Sequence, residues 1–132
     1  TWPCNAHTTA SDALWAGLPL LTVMGEAFAG RVAASLLHAL GLPELIVTTE
    51  HAYEQRARAL ATDPAALASL RERLAEQRLS SPLFDGRAMA RNLETAYAAM
   101  HQRRLSGLPP AALAVEADGS YRLLDAQAVA DE

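Results

Sequence analysis

Lysine is absent from this 132-residue sequence; all 11 basic residues are arginine. That removes lysine as a base, a Schiff-base former or a phosphate clamp within these residues. A single cysteine, Cys4, excludes an internal disulfide and points to a reducing, cytoplasmic compartment. Aromatic residues make up only 5% of the chain, so its core must come from aliphatic and small side chains. The apolar runs are short and interrupted by Gly, Pro or charge, and none has the form of a signal peptide or a membrane span. Basic runs are missing as well. The arginines are interspersed with acids and the net charge is -4, which argues against nucleic acid as a partner.

What is present suits one folded domain. Apolar residues make up 51% of the chain, and an alanine excess favours helices with small contact side chains. The sequence opens at Thr1, without an initiator methionine, in the loop-like stretch TWPCN. No strand precedes the first helical pattern. The chain is therefore expected to be a piece of a longer protein, beginning inside a domain.

The pattern along the chain alternates. A short helix is expected over residues 9–16, with Gly17 ending it in a left-handed turn. Residues 18–24 form an apolar run suited to a parallel strand covered on both faces, with Pro19 near its start. A second helix is expected over 27–40, with Val32, Leu36, Leu37 and Leu40 on its buried stripe, and a short strand over 45–47. Helix, strand, helix, strand is the rhythm of an α/β fold with a parallel sheet. Helices follow: one capped by Thr48 or Thr49 and running to 61, one started by Asp63-Pro64, and a long one from Asp85-Gly86 to 104. Leu93, Tyr97 and Met100 mark the expected buried side of the last. The tail is either loose or a hairpin pairing 113–117 with 121–124 around Asp118-Gly119. The expected division is 1–48, 49–106 and 107–132.

The stretch His7-Thr8-Thr9 at the first helix start carries the chemistry. First-turn amides lack intrahelical acceptors and attract anions, and two hydroxyls and an imidazole add donors. Asp12 could accept bonds from ribose hydroxyls. The alternative is plain capping: Thr9 and Asp12 have the spacing of a capping box, and His7 would then be a surface loop residue. Residue types and spacing alone reach an α/β domain with an anion site or a capped helix.

The run CNAHTTASDALWAG, residues 4–17, resembles the catalytic region of the O-linked N-acetylglucosamine transferases. The same order continues through Gly25-Glu26, Arg31-Val32-Ala33-Ala34-Ser35, Gly41, Glu44-Leu45-Ile46, Gln77-Arg78 and Ser80-Ser81-Pro82-Leu83-Phe84. It covers about the first hundred residues; nothing after Leu105 has a counterpart. The composition suggests a bacterial member. The resemblance implies the later part of the C-terminal, Rossmann-like half of a GT-B glycosyltransferase, followed by C-terminal helices. It implies inverting transfer of N-acetylglucosamine from UDP-GlcNAc to Ser or Thr hydroxyls of a protein or peptide acceptor. By the same match His7, Thr8 and Thr9 would hold the UDP diphosphate and Asp12 its ribose, with no metal and no other cofactor. The catalytic base would lie upstream of Thr1, with the N-terminal catalytic half and the helical repeats. A GDP-fucose-dependent protein O-fucosyltransferase and a non-catalytic nucleotide- or peptide-binding module remain as alternatives. Ala6 and Ala10 stand where glycines are common in that run, which matters only if either position needs positive φ.

Other residues carry weaker signals. Glu26 could reach a nucleotide or simply start a helix; Arg31 could meet a phosphate or a surface acid. His38, His51 and His101 lack metal-ligand spacing. Cys4 is expected to be a buried, inert thiol, Trp15 to pack on the sheet, and Ser80-Ser81-Pro82 to break two helices.

Overall fold

The computed structural model describes residues 3–116 and 118–124. The chain divides into two compact units, Thr1–Phe84 and Asp85–Glu132, a boundary falling inside the 49–106 stretch.

The first unit begins with α1 (Thr8–Trp15), β1 (Thr22–Val23), a 3-10 turn (Phe28–Gly30) and α2 (Val32–Ala39). A second 3-10 turn (Pro43–Leu45), β2 (Ile46–Val47), α3 (Glu50–Thr62), α4 (Pro64–Ser80) and a third 3-10 turn (Pro82–Phe84) follow. The α/β rhythm is present, and β1 and β2 pair in parallel, Thr22 beside Ile46 and Val23 beside Val47. The strands are shorter than the apolar runs. Pro43 draws Leu45 into a 3-10 turn, so β2 starts one residue late, and a ladder can be no longer than its shorter partner. The second helix also begins later than 27. Gly30 sits where a side chain would meet the Pro3 carbonyl at 3.1 Å and the Gly25 Cα at 3.3 Å, and the Gly25 amide donates to the Gly30 carbonyl at 2.9 Å. This closed loop holds residues 25–30 out of a regular helix.

Local signals account for the remaining ends. Thr49 caps α3 by accepting from the Ala52 amide at 3.1 Å, and Asp63 caps α4 by accepting from the Ala66 amide at 2.9 Å. Gly17 has φ +84, and the Leu18 amide reaches back to the Ala13 carbonyl at 2.9 Å, which closes α1. The core gathers Leu14, Leu37, Leu40, Leu42, Leu45, Leu70 and Leu74. On α2 the fully buried face is Ala33, Ala34 and Leu37, while Val32 and Leu36 are half-buried. Ser81 is buried and donates to the Ala39 carbonyl at 3.0 Å, so the break after α4 is tied to the end of α2.

The second unit is α5 (Gly86–Leu105) with a hairpin of β3 (Leu113–Val115) and β4 (Tyr121–Leu123). Of the expected tail the described residues form the hairpin; residues 117 and 125–132 lie outside the described residues. Asp85 caps α5, accepting from the Arg87 and Ala88 amides at 3.0 and 2.9 Å. The expected buried side of α5 is corrected. Leu93, Tyr97 and Met100 are exposed and Ala99 is buried. Strands β3 and β4 have three residues each and pack on α5, and Ala99 is the residue they leave buried there.

Candidate functional site

The site is built around the start of α1. The N-cap residue is His7, with φ -106 and ψ -91, and its side chain makes no cap hydrogen bond. Thr8 and Thr9 therefore lie inside the first turn, and the capping-box reading of Thr9 with Asp12 is overturned. The Ala10 and Ser11 amides both donate to the His7 carbonyl at 3.1 Å. The Thr8 and Thr9 amides precede any intrahelical acceptor. Both threonine side chains are exposed, and so is Asp12 one turn on. Ala10 faces inward at 1% exposure, and no residue other than glycine has positive φ among the described residues. Alanine thus fits both positions where the run departs from glycine.

The loop before α1 is held from below. Asn5 is buried; its amide donates to the Ala29 carbonyl at 2.7 Å and its side-chain nitrogen to the Val23 carbonyl at 3.1 Å. This clips the residues before the helix to the end of β1. The His7 Nε2 lies 3.4 Å from the Ala29 carbonyl, and its ring meets the Phe28 ring edge-on at 6.1 Å. A carbonyl only accepts, so Nε2 carries a hydrogen in this contact. Nδ1 can then donate to an anion only as part of an imidazolium. Phe28 is 81% exposed despite being fully apolar.

A cleft of about 490 Å³ opens at the carboxyl ends of β1 and β2, lined by Met24, Gly25, Glu26 and Thr48. Ligands of open α/β sheets bind at this end of the strands. The loop from Gly25 to Gly30 joins the two features: Glu26 lines the cleft and Ala29 touches His7. Of the residues singled out from sequence, His7, Thr8, Thr9 and Asp12 share one helix start, and Glu26 lies on the adjoining loop. Arg31 is exposed at the N-cap of α2. His38, His51 and His101 belong to α2, α3 and α5, and His51 pairs with Gln55 at 2.9 Å. Among the described residues no three His, Cys, Asp or Glu side chains are grouped to hold a metal ion. Asn5, Phe28 and Arg78 carry site geometry that sequence reasoning assigned no role; Asn5 and Arg78 were visible in the run only as matched letters.

Two expectations are corrected here. Cys4 is exposed, because it lies in the surface bend ahead of Asn5. Trp15 is 51% exposed and meets Phe84 edge-on at 5.0 Å, with the Arg78 guanidinium 5.9 Å from its ring, so it packs on the α4 side and not on the sheet.

The fold and the site define an α/β domain whose first helix presents uncapped amides, two hydroxyls and an imidazole on one surface. Residues 1–93 match the family model described as glycosyl transferase family 41, and the chain belongs to that family. It is 42% identical over 106 residues to a UDP-N-acetylglucosamine--peptide N-acetylglucosaminyltransferase of Caenorhabditis elegans, covering 80% of this chain and 9% of that protein. It is 43% identical over 108 residues to a probable UDP-N-acetylglucosamine--peptide N-acetylglucosaminyltransferase, SEC, of Arabidopsis thaliana, covering 81% and 11%. A solved structure of a mutant O-GlcNAc transferase from Thermobaculum terrenum superposes with a TM-score of 0.60 at 38% identity, over 65% of this chain and 16% of that one. The chain thus spans about a tenth of the length of these curated relatives. No helix among the described residues is long and apolar enough to cross a membrane.

Proposed function

We propose that this chain supplies part of the UDP site of a cytoplasmic, bacterial, UDP-GlcNAc-dependent protein O-GlcNAc transferase. It corresponds in this reading to the later part of the C-terminal half of a GT-B enzyme, whose remaining half and helical repeats precede it. The observation that carries the reading is the start of α1. His7, Thr8 and Thr9 stand together there, no side chain among the described residues caps the turn, and all three lie in the stretch matched to family 41.

The chemistry follows from the geometry. Transfer of the sugar to a Ser or Thr hydroxyl leaves charge on the β-phosphate of UDP. Amides fixed at the positive end of a helix, with hydroxyl donors and the His7 ring as an imidazolium beside them, stabilise that charge more as it develops. Asp12, one turn along, would accept from the ribose hydroxyls. In this reading the leaving group is stabilised by these donors and no metal ion is required of them. The base that takes the acceptor's proton is assigned to the upstream half.

The test is calorimetric titration of UDP into the protein carrying both halves. His7→Ala is expected to weaken binding by about 10-fold or more, since a hydrogen bond to a charged group contributes roughly 1.5–3 kcal/mol. Unchanged affinity in a folded variant removes His7 from the site. GDP titrated in parallel separates a GDP-fucose donor, and retained UDP binding without transfer to peptide separates the non-catalytic module. Residues 1–132 alone are expected to bind UDP far more weakly than the longer protein.

A further inference from the structure

We propose that Arg78 is a positioning residue that sets the anion-binding end of α1 by holding its opposite end. The inference rests on the diphosphate reading of α1. Arg78 lies in the last turn of α4, 63 positions along the chain from Trp15, and its Nη1 donates to the Trp15 carbonyl at 2.8 Å. That carbonyl belongs to the final turn of α1, where the helix leaves its acceptors without internal donors. The neighbouring carbonyls of Asp12, Ala13 and Leu14 are taken by the Ala16, Leu18 and Gly17 amides. A cation also lies favourably at this negative end of the helix dipole.

The same guanidinium lies 5.9 Å from the centre of the Trp15 ring, and that ring rests edge-on against Phe84 at 5.0 Å. Two separate elements thus meet the last turn of α1: the end of α4 and the 3-10 turn Pro82–Phe84. Gly17 adjoins the arrangement: a Cβ there would lie in ordinary contact with the Arg78 Nη1, at 3.9 Å. The contact is held although the Arg78 Nε is buried with no hydrogen-bond partner. An arginine kept for stability alone would gain more with that N–H bonded or in water. Holding the Trp15 carbonyl at a fixed place gives the constraint a use.

An eight-residue helix is about 12 Å long and moves as a rod. It is seated through the buried Ala10, near its start, and Leu14, near its end. A shift of the Trp15 end is passed along the rod to the Thr8 and Thr9 end, and misplacement of about 1 Å can cost a binding or reacting group about 100-fold.

The experiment uses the protein carrying both halves, with UDP as the probe. Arg78→Ala is expected to weaken UDP binding roughly tenfold, and Arg78→Lys, which keeps a cationic donor for the Trp15 carbonyl, to recover most of the loss. In a background of H7A, T8V and T9V, the same Arg78→Ala change is expected to cost less than about threefold, because Arg78 acts through the donors already removed. Equal losses in both backgrounds, or no loss in either, overturn the proposal. If the H7A, T8V and T9V protein binds UDP normally, the diphosphate reading itself fails. Arg78 is then judged by the His7 ring C2–H resonance, which is expected to shift in Arg78→Ala; an unmoved resonance overturns the positioning role. Should Arg78→Ala fail to fold, Arg78→Gln replaces it with the same expectations.

Discussion

Thr9→Val separates the two readings of the first helix most sharply. Threonine and valine are nearly equal in volume and in helix propensity, so the exchange removes a hydroxyl and little else. If Thr9 capped the helix, its loss would lower the unfolding free energy by about 1 kcal/mol. In the structure the N-cap is His7, the Thr9 side chain is exposed, and no cap bond is made. The expected change in stability is therefore within about 0.5 kcal/mol. The change in UDP affinity is expected to be large, because a hydroxyl bonded to a diphosphate oxygen contributes about 1.5–3 kcal/mol, or roughly 10- to 150-fold. Urea unfolding and calorimetric titration on one preparation give both numbers. A stability loss near 1 kcal/mol with unchanged affinity would restore the capping reading and remove Thr9 from the nucleotide site.

Other outcomes follow from the packing and the charges. Leu14→Ala, at a fully buried position in the leucine core, is expected to cost about 2–5 kcal/mol in chemical denaturation; a cost below about 1 kcal/mol would show that α1 is not seated on that core. Gly17→Ala places a side chain at φ +84 and is expected to destabilise by about 1 kcal/mol or more, read as a lowered urea midpoint. Partial burial pushes the Glu44 carboxyl up, but its own backbone amide, the Arg73 hydrogen bond and charge, and Arg56 outweigh it and leave the group below its usual value. A carboxyl lowered on folding stabilises above its ordinary value, and that stability is lost as pH falls through the lowered one. Unfolding measured from neutral to acid pH should fall less steeply below about pH 4 in Glu44→Gln than in the wild type.

Much of the fold was legible wherever the signal is local. Asp63-Pro64, Asp85-Gly86 and Gly17 mark helix ends by their own backbone chemistry, and each appears where expected. Strand length was not legible, because Pro43 and the Gly25–Gly30 loop decide it from outside the apolar run. The buried face of α5 was misread for a related reason. Large apolar residues such as Leu93 and Tyr97 look like a core stripe, yet the buried residue of α5 is Ala99, which hydrophobicity alone ranks below them. At the site, sequence located His7, Thr8 and Thr9 together but could not decide whether the turn was capped. That depends on which residue becomes the N-cap, a matter of one φ/ψ pair at His7. The Arg78 contact with Trp15 joins residues far apart in the chain and left no periodic trace.

Ala10 lies with its methyl group sealed on the underside of α1, at 1% exposure, while Thr8 and Thr9 face outward. The thickness of that one methyl sets how far the helix stands from the layer beneath it. A valine there would wedge the helix outward, so a substitution beyond reach of the proposed diphosphate site would displace its donors even where the chain still folds.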